Sequence, residues 1–293
     1  MNNETGEGTV SSCELFPGVQ VIVNDLHLRR CASPVTPNER VVQISCCVEG
    51  RYECVLNERY CFFVGPGDFS VGTVGRRESR GGFPTGRFYG VSFFLELDAL
   101  EQQNDALFQE FQIDVDKIAA IAQKKRRYYV LHRIPELGGI LSVFLDVFEK
   151  RKTHVLKLKT LEILSFLSEL DEAAVEESPV YVNRKQVALA KAVQERLVED
   201  IARHVTIEQM SQELHAGTTM LKTAFKSVYG VPIYQYQRDL RLQLAQKLIR
   251  DTDQSFTQIS SVIGYVSSAK FSQAFKAKFG LTPSEYRRQT RGI

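Results

Sequence analysis

No stretch of the 293 residues contains the ~18 consecutive apolar residues of a membrane-spanning helix, so a helical membrane protein is excluded on this measure. The first residues, Met1-Asn2-Asn3-Glu4, have neither the basic nor the apolar region of a secretory signal, and a cytoplasmic location is expected. Histidine is scarce. His27, His132, His154, His204 and His215 are scattered, and they suggest no Ser-His-Asp or Cys-His arrangement for nucleophilic chemistry. Nor do they supply the paired histidines of a metal-dependent barrel enzyme, so no metal, cofactor or catalytic residue is expected. No Cys-x-x-Cys pair of the zinc type occurs. Cys13, Cys31, Cys46, Cys47, Cys54 and Cys61 all lie in the first 61 residues, where they read as buried reduced thiols. Adjacent Cys46 and Cys47 would point to opposite faces of a strand.

A chain of this length has room for two domains of ordinary size. The net charge of +2 hides an asymmetry. Residues 184–293 hold 17 Lys/Arg against 9 Asp/Glu, net +8, whereas residues 1–183 hold 20 against 26, net −6. A basic half beside an acidic half suits a polyanion-binding module joined to one that binds no polyanion.

The basic half contains one pattern written twice. Ala224-Phe225-Lys226 and Tyr229-Gly230 align with Ala274-Phe275-Lys276 and Phe279-Gly280 at an offset of 50, and Tyr236 and Arg238 align with Tyr286 and Arg288. Upstream, Ile207, Met210 and Leu214 match Phe256, Ile259 and Ile263 at an offset of 49, which puts a one-residue difference in the turn between two helices. Thr206 with Gln209 and Ser255 with Gln258 are capping-box pairs that start the first helix of each copy. Gly264 follows the second of these first helices, where positive φ reverses the chain. The next helix is expected to start near Ser267 or Ser268 and to end at Gly280. Thr282-Pro283-Ser284-Glu285 then opens a short last helix. Between the copies, Pro232 to Arg250 reads as one helix with Tyr236, Leu240, Leu244 and Leu248 on a face. It is roughly 28 Å long, close to the ~34 Å between major-groove faces one turn apart.

The run Phe256-Thr257-Gln258-Ile259-Ser260, Gly264-Tyr265, Ser267, Phe271 to Lys276 and Phe279 to Arg287 resembles the signature of AraC/XylS-type transcriptional regulators. The resemblance covers about Lys191 to Arg291 and includes Arg241, Ala245 and Leu248 of the linking helix. It departs from the family at His215, where Gly is frequent, at Gly217, where a Ser or Thr cap is usual, and at Tyr265, where Phe is more common. What the resemblance implies is two helix-turn-helix units that set their second helices in successive major grooves of double-stranded DNA. Matching the family pattern assigns base contacts to Thr219, Lys222 and Thr223 in one groove and to Ser268, Ala269, Ser272 and Gln273 in the other. Phosphate contacts fall to Thr218, Lys226, Ser267, Lys270, Lys276 and Arg288. RNA polymerase is the partner the family implies, with activation more usual than repression.

The acidic half is β-rich at first. Segments 19–23, 41–48, 51–56, 60–64, 69–71 and 87–97 are short, rich in β-branched and aromatic residues, and separated by turn residues, which favours a barrel or sandwich. Residues 1–14 read as polar and mobile. The turn Val64-Gly65-Pro66-Gly67-Asp68 resembles the cupin-like sensor domain found at the front of many AraC-type proteins. Helical spacing then takes over in 97–111 and 115–122, interrupted by the basic run Lys124 to Arg127. Two amphipathic helices follow, one with Ile140, Leu141, Phe144, Leu145 and Phe148, the other with Leu158, Leu161, Leu164, Phe166, Leu167 and Leu170. This pair, near 139–170, either forms a homodimer contact, as the resemblance implies, or caps the barrel.

The expected fold is therefore α+β. Residues 1–170 form a β-barrel or cupin-like sensor and dimerisation domain with its helical pair, 171–183 a linker, and 184–293 an all-α domain of two helix-turn-helix units joined by a linker helix. The expected function is sequence-specific DNA binding in transcription regulation. A small-molecule effector is a further expectation, with Phe62, Phe69, Tyr89 and Phe93 as candidate pocket residues. The competing reading is a ligand-binding or catalytic barrel whose helical half mediates assembly; the duplicated motif and the local charge of +8 argue against it.

Overall fold

The computed structural model describes residues 2–32, 38–55, 57–74, 80–103, 106–123, 128–132, 134–170, 181–199, 201–202 and 205–291. The basic run 124–127, His204 and residues 171–180 of the expected linker lie outside the described residues. The chain divides into two units, Met1–Asn183 and Arg184–Ile293.

In the first unit the strands are β1 (Asn2–Asn3), β2 (Gly6–Phe16), β3 (Val19–His27), β4 (Arg30–Ala32), β5 (Asn38–Gly50), β6 (Tyr52–Val55), β7 (Tyr60–Val64), β8 (Phe69–Val74), β9 (Arg80–Gly82) and β10 (Phe88–Glu96). Helices α1 (Leu97–Gln103), α2 (Ala106–Glu110) and α3 (Val115–Gln123) follow, then β11 (Tyr128–Leu131), α4 (Pro135–Glu149), α5 (Thr153–Glu169) and β12 (Val182–Asn183). The strands form a seven-stranded sheet, ordered β1-β2-β3-β10-β5-β8-β11, and a five-stranded sheet, ordered β12-β7-β6-β9-β4. Among the described residues this is an α+β arrangement of two sheets and not the closed barrel that the strand spacing allowed.

β10 lies between β3 and β5, with Val91 opposite both Val23 and Cys46. That central position explains its nearly continuous burial, since neither face meets water. Residues on opposite faces enter different cores. One face of the large sheet, with Val21, Ile44, Cys46, Phe69 and Phe93, packs against α3, α4 and α5 through Ile118, Phe144 and Leu164. From the other face, Leu26, Cys47, Phe88 and Val130 meet Cys54, Phe62 and Val64 of the smaller sheet. Cys46 and Cys47 accordingly point to opposite sides, as strand alternation requires.

The N-terminal segment is not a mobile tail. Residues 6–16 pair antiparallel with β3 from Glu7 opposite His27 to Phe16 opposite Val19. Most side chains of β2 up to Glu14 are exposed, so main-chain hydrogen bonds hold the strand and no apolar periodicity announces it. The end of the expected linker is also sheet: Val182 pairs with Cys61 and Asn183 with Tyr60.

In the helical pair, Leu137, Leu141, Phe144, Leu145 and Val147 of α4 are buried with Leu156, Leu161, Ile163, Leu164 and Leu167 of α5. Leu158, grouped with the buried face by its spacing, is instead 57% exposed. No helix among the described residues is long and apolar enough to cross a membrane.

The second unit is helical after β12: α6 (Arg184–Glu199), α7 (Ile207–Glu213), α8 (Thr218–Tyr229), α9 (Ile233–Asp251), α10 (Phe256–Val262), α11 (Ser268–Phe279) and α12 (Pro283–Arg291). The linking helix α9 starts one residue after its N-cap, Pro232. Its fully buried stripe is Ile233, Gln237, Leu242, Ala245 and Ile249, not the Tyr236-Leu240-Leu244-Leu248 face. The helix packs on α8 at one end and on α10, α11 and α12 at the other, so its sides are covered unequally along its length.

Candidate nucleic-acid interface

Each helix-turn-helix unit is started by the same local chemistry. The Gln209 N–H donates to Thr206 Oγ1 at 3.2 Å while the Thr206 N–H donates to Gln209 Oε1 at 2.9 Å. In the second copy the Gln258 N–H donates to Ser255 Oγ at 3.2 Å and the Ser255 N–H to Gln258 Oε1 at 2.8 Å. Both boxes satisfy amides that a first helical turn leaves unpaired. α12 is opened likewise, with Glu285 N–H donating to Thr282 Oγ1 at 3.2 Å and Thr282 N–H to Glu285 Oε2 at 2.7 Å. The Thr282 N–H, first, and then the Thr282 hydroxyl, which also donates to Glu285 Oε2 at 2.7 Å, hold the Glu285 carboxyl below the usual glutamate range.

The turns correspond as well. His215 and Gly264 have left-handed φ of 48° and 76°. The next amides bond back in the same way, Ala216 N–H to Ser211 O at 3.1 Å and Tyr265 N–H to Ser260 O at 2.8 Å. The second turn then has one residue more, because Val266 stands between Tyr265 and the N-cap Ser267, whereas Ala216 is followed directly by the N-cap Gly217. Ser267 caps α11 by accepting from the Lys270 N–H at 3.4 Å, whereas Gly217 offers α8 no side chain.

α8 and α11 are each 12 residues long and each ends at a left-handed glycine, Gly230 or Gly280. The glycine N–H donates to the carbonyl of Lys226 or Lys276 at 2.8 Å in both copies. The same aromatic brace fixes both helices. Phe225 lies 4.5 Å from Tyr229 and 5.2 Å from Tyr236; Phe275 lies 4.6 Å from Phe279 and 5.7 Å from Tyr286.

With Leu221, Ala224, Phe225 and Val228 inside, α8 turns Thr219, Lys222, Thr223 and Lys226 outward, beside half-exposed Thr218. With Phe271 and Phe275 inside, α11 turns Ala269, Lys270, Gln273 and Lys276 outward, and Ser267, Ser268 and Ser272 are half-exposed. Helical spacing alone puts 219, 222, 223 and 226 on one face, and the corresponding residues 269, 272, 273 and 276 on another. Arg288 is exposed on α12. Each expected contact set is thus gathered on the solvent side of its own helix. Two exposed apolar side chains, Met220 and Val266, lie beside these sets without being marked by the duplication. For Val266 the available signal is the change of offset from 49 to 50.

Other basic side chains of this unit are occupied in holding it together. Arg241 Nε donates to Ile201 O at 2.9 Å, and Lys278 Nζ lies 3.0 Å from Asp239 Oδ1, linking α11 to α9. Arg287 lies 4.3 Å over the Phe256 ring and donates to Gln254 O at 2.6 Å, and Arg291 pairs with Asp253.

The four candidate pocket residues of the first unit do not come together. Phe69 and Phe93 are fully buried against the helices with half-buried Tyr89 beside that core, whereas Phe62 is buried between the sheets. An open cleft of about 590 Å³ lies elsewhere, lined by Leu97, Leu100, Phe108, Ile113, Glu101 and Asp116 among others. The Val64–Asp68 turn is closed by Asp68, whose carboxylate accepts from the Gly65 N–H at 2.8 Å and lies 2.9 Å from His132 Nδ1. No group of three His, Cys, Asp or Glu side chains among the described residues is arranged to hold a metal ion.

Residues 210–289 match the family model described as a helix-turn-helix domain. Over 170 residues the chain is 24% identical to the uncharacterized HTH-type transcriptional regulator YtdP of Bacillus subtilis, which covers 56% of this chain and 22% of that protein. Over 141 residues it is 28% identical to the HTH-type transcriptional activator RhaR of Pectobacterium atrosepticum, covering 48% of this chain and 50% of that one. The chain therefore spans half or less of the length of these two relatives. Among solved structures, it is similar to the DNA-binding domain of AdpA in complex with a target DNA, at 20% identity and a TM-score of 0.34 over 35% of this chain and 93% of that one. With its two capped helix pairs and the family match across both of them, the C-terminal unit is a helix-turn-helix domain of the AraC type.

Proposed function

We propose that this protein is a sequence-specific DNA-binding transcriptional regulator that sets α8 and α11 in successive major grooves of one DNA face. The observation that carries the reading is the duplication in three dimensions: two recognition helices of equal length, each preceded by a helix with a capping box, stopped and braced in the same way, and each with an outward polar face. In this reading Thr219, Lys222 and Thr223 read one box, and Ser268, Ala269, Ser272 and Gln273 read the other. Thr218, Lys226, Ser267, Lys270, Lys276 and Arg288 bind phosphate. Gln forms a bidentate pair with adenine, and Thr and Ala offer methyl contacts to thymine. The net charge of +8 in residues 184–293 supplies the sequence-independent attraction.

The first unit serves as a cupin-like sensor in this proposal, since double-sheet jelly rolls include the cupins. The interior around Phe69 and Phe93 is packed, and the open cleft beside α1 and α3 offers room for a small effector. A homodimer forms through α4 and α5, supported by the outward apolar side chains Val143 and Leu158. The protein acts in the cytoplasm as an activator that recruits RNA polymerase, as the AraC-type resemblance implies.

The test is selection of genomic DNA by the purified full-length protein, followed by footprinting at two salt concentrations. The expected result is a site with two boxes about one helical turn apart and steeply salt-dependent affinity. Recovery of no preferred sequence, with or without residues 1–183, would overturn the reading.

A further inference from the structure

Val266 is the most conspicuous side chain in the second unit that the fold itself does not explain. Its relative exposure is 106%, so no neighbouring side chain covers it. It is also the additional residue of the second turn, with no counterpart between Ala216 and Gly217. A longer turn that served only the fold would gain nothing from a fully exposed branched apolar side chain, because turn positions favour Gly, Asn, Asp or Ser.

Its position in the chain connects it to the DNA face proposed above. Val266 directly precedes Ser267, the N-cap of α11, and the N-terminal residues of a recognition helix are the ones that meet base edges. The residues around it are small or uncharged: Tyr265, Ser267, Ser268 and Ala269. No acidic residue occurs between Ser255 and Phe279, and Asp239 of α9, whose charge reaches Tyr265, is paired with Lys278 at 3.0 Å. In the major groove the distinctive apolar feature is the C5-methyl group of thymine.

Resting on the proposed DNA-binding function, we infer that Val266 is a specificity-determining residue that packs on a thymine methyl at the edge of the box read by α11. The first unit has no equivalent, so the two boxes differ in length as well as in sequence: the second includes one thymine position that the first lacks.

The test uses the full-length protein and the DNA site recovered by selection, with each thymine of both boxes replaced singly by deoxyuridine, which removes only the methyl group. For the native protein, one substitution in the second box should weaken binding by about threefold to fivefold, the effect of one buried methyl-sized group. Val266→Ala and Val266→Ser should bind thymine and deoxyuridine alike at that position and keep the native response everywhere else. Unchanged thermal unfolding of both variants would show that the fold is intact. Equal deoxyuridine effects in native protein and variants at every position would overturn the inference while leaving the regulator reading standing. So would variants that bind DNA as the native protein does but lose transcription, since that pattern assigns Val266 to a protein contact. Failure of the native protein to prefer any sequence would overturn both.

Discussion

His215 and Gly264 hold the same place in the two helix-turn-helix units, and both are left-handed although only one is glycine. A non-glycine residue in this region is strained by roughly 1–2 kcal/mol. At Gly264 there is a second requirement, because a Cβ there would lie 2.3 Å from the Ala202 carbonyl oxygen. His215→Gly is therefore expected to raise stability by up to about 1 kcal/mol, the relief of strain being offset in part by greater freedom of the unfolded chain. Gly264→Ala should lower stability by more than His215→Gly raises it. Denaturant unfolding followed by circular dichroism measures both, and a neutral Gly264→Ala would contradict the packing of the loop after α6 on this turn.

Gln273 and Lys276 lie on one exposed face of α11 but should fail differently. Gln273→Ala is expected to relax base preference at one position of the site, with a loss of roughly 1–3 kcal/mol against the preferred sequence. Lys276→Ala should weaken all sequences and reduce the slope of log affinity against log salt by about one. Parallel titrations at several salt concentrations separate the two, and an unchanged slope in Lys276→Ala would remove it from the phosphate set.

Glu285 makes the last helix sensitive to acid. Its carboxyl is held low by Thr282, so the folded state favours the charged form more than the unfolded state does. The resulting stability is present above the ordinary glutamate pKa and is lost as pH falls through the lowered value. Between about pH 5 and 3, native protein should lose stability more steeply than Glu285→Gln, which keeps an acceptor for the Thr282 N–H but cannot titrate. Identical pH profiles of unfolding would contradict this.

The cysteines should differ in reactivity by place. Burial pushes the thiols of Cys13, Cys31, Cys46, Cys47 and Cys54 up, Cys47 to about 12, where Asp68 adds to the effect. Cys13 and Cys31 are only half-buried, whereas Cys46, Cys47, Cys54 and Cys61 are buried. A maleimide reagent at neutral pH should label Cys13 and Cys31 first and the other four only on unfolding, as read by peptide mass spectrometry. Early labelling of Cys54 or Cys61 would show that the smaller sheet opens.

Leu158 is exposed in the middle of α5, and the proposed homodimer puts it at the interface. Leu158→Glu should convert a dimer to a monomer in analytical ultracentrifugation with little change in the stability of the fold. A dimer that survives the substitution would move the interface away from this face.

The second unit was legible because its signals are local. A capping box spans four residues, a left-handed glycine acts on its immediate neighbours, and two copies of a pattern confirm each other. From Thr206 to Arg291 the helix starts, the turns and the outward faces of α8 and α11 follow from interactions within one or two helical turns. The linking helix α9 was legible in extent but not in its buried stripe, since the neighbours at its two ends differ. The same distinction explains the first unit. Segment 60–64 follows from its aromatic and β-branched content, and the opposed faces of Cys46 and Cys47 from strand alternation; both are properties of a short segment. That residues 6–16 are a strand, that Val182 pairs with Cys61, and that Phe62 is buried apart from Phe69 and Phe93 follow from pairing between segments distant in sequence. Main-chain hydrogen bonds make those pairings, and backbone groups are nearly the same in every residue. Side-chain pattern can therefore determine which segments are strands, but only the assembled sheets decide which strands meet and which core each face enters.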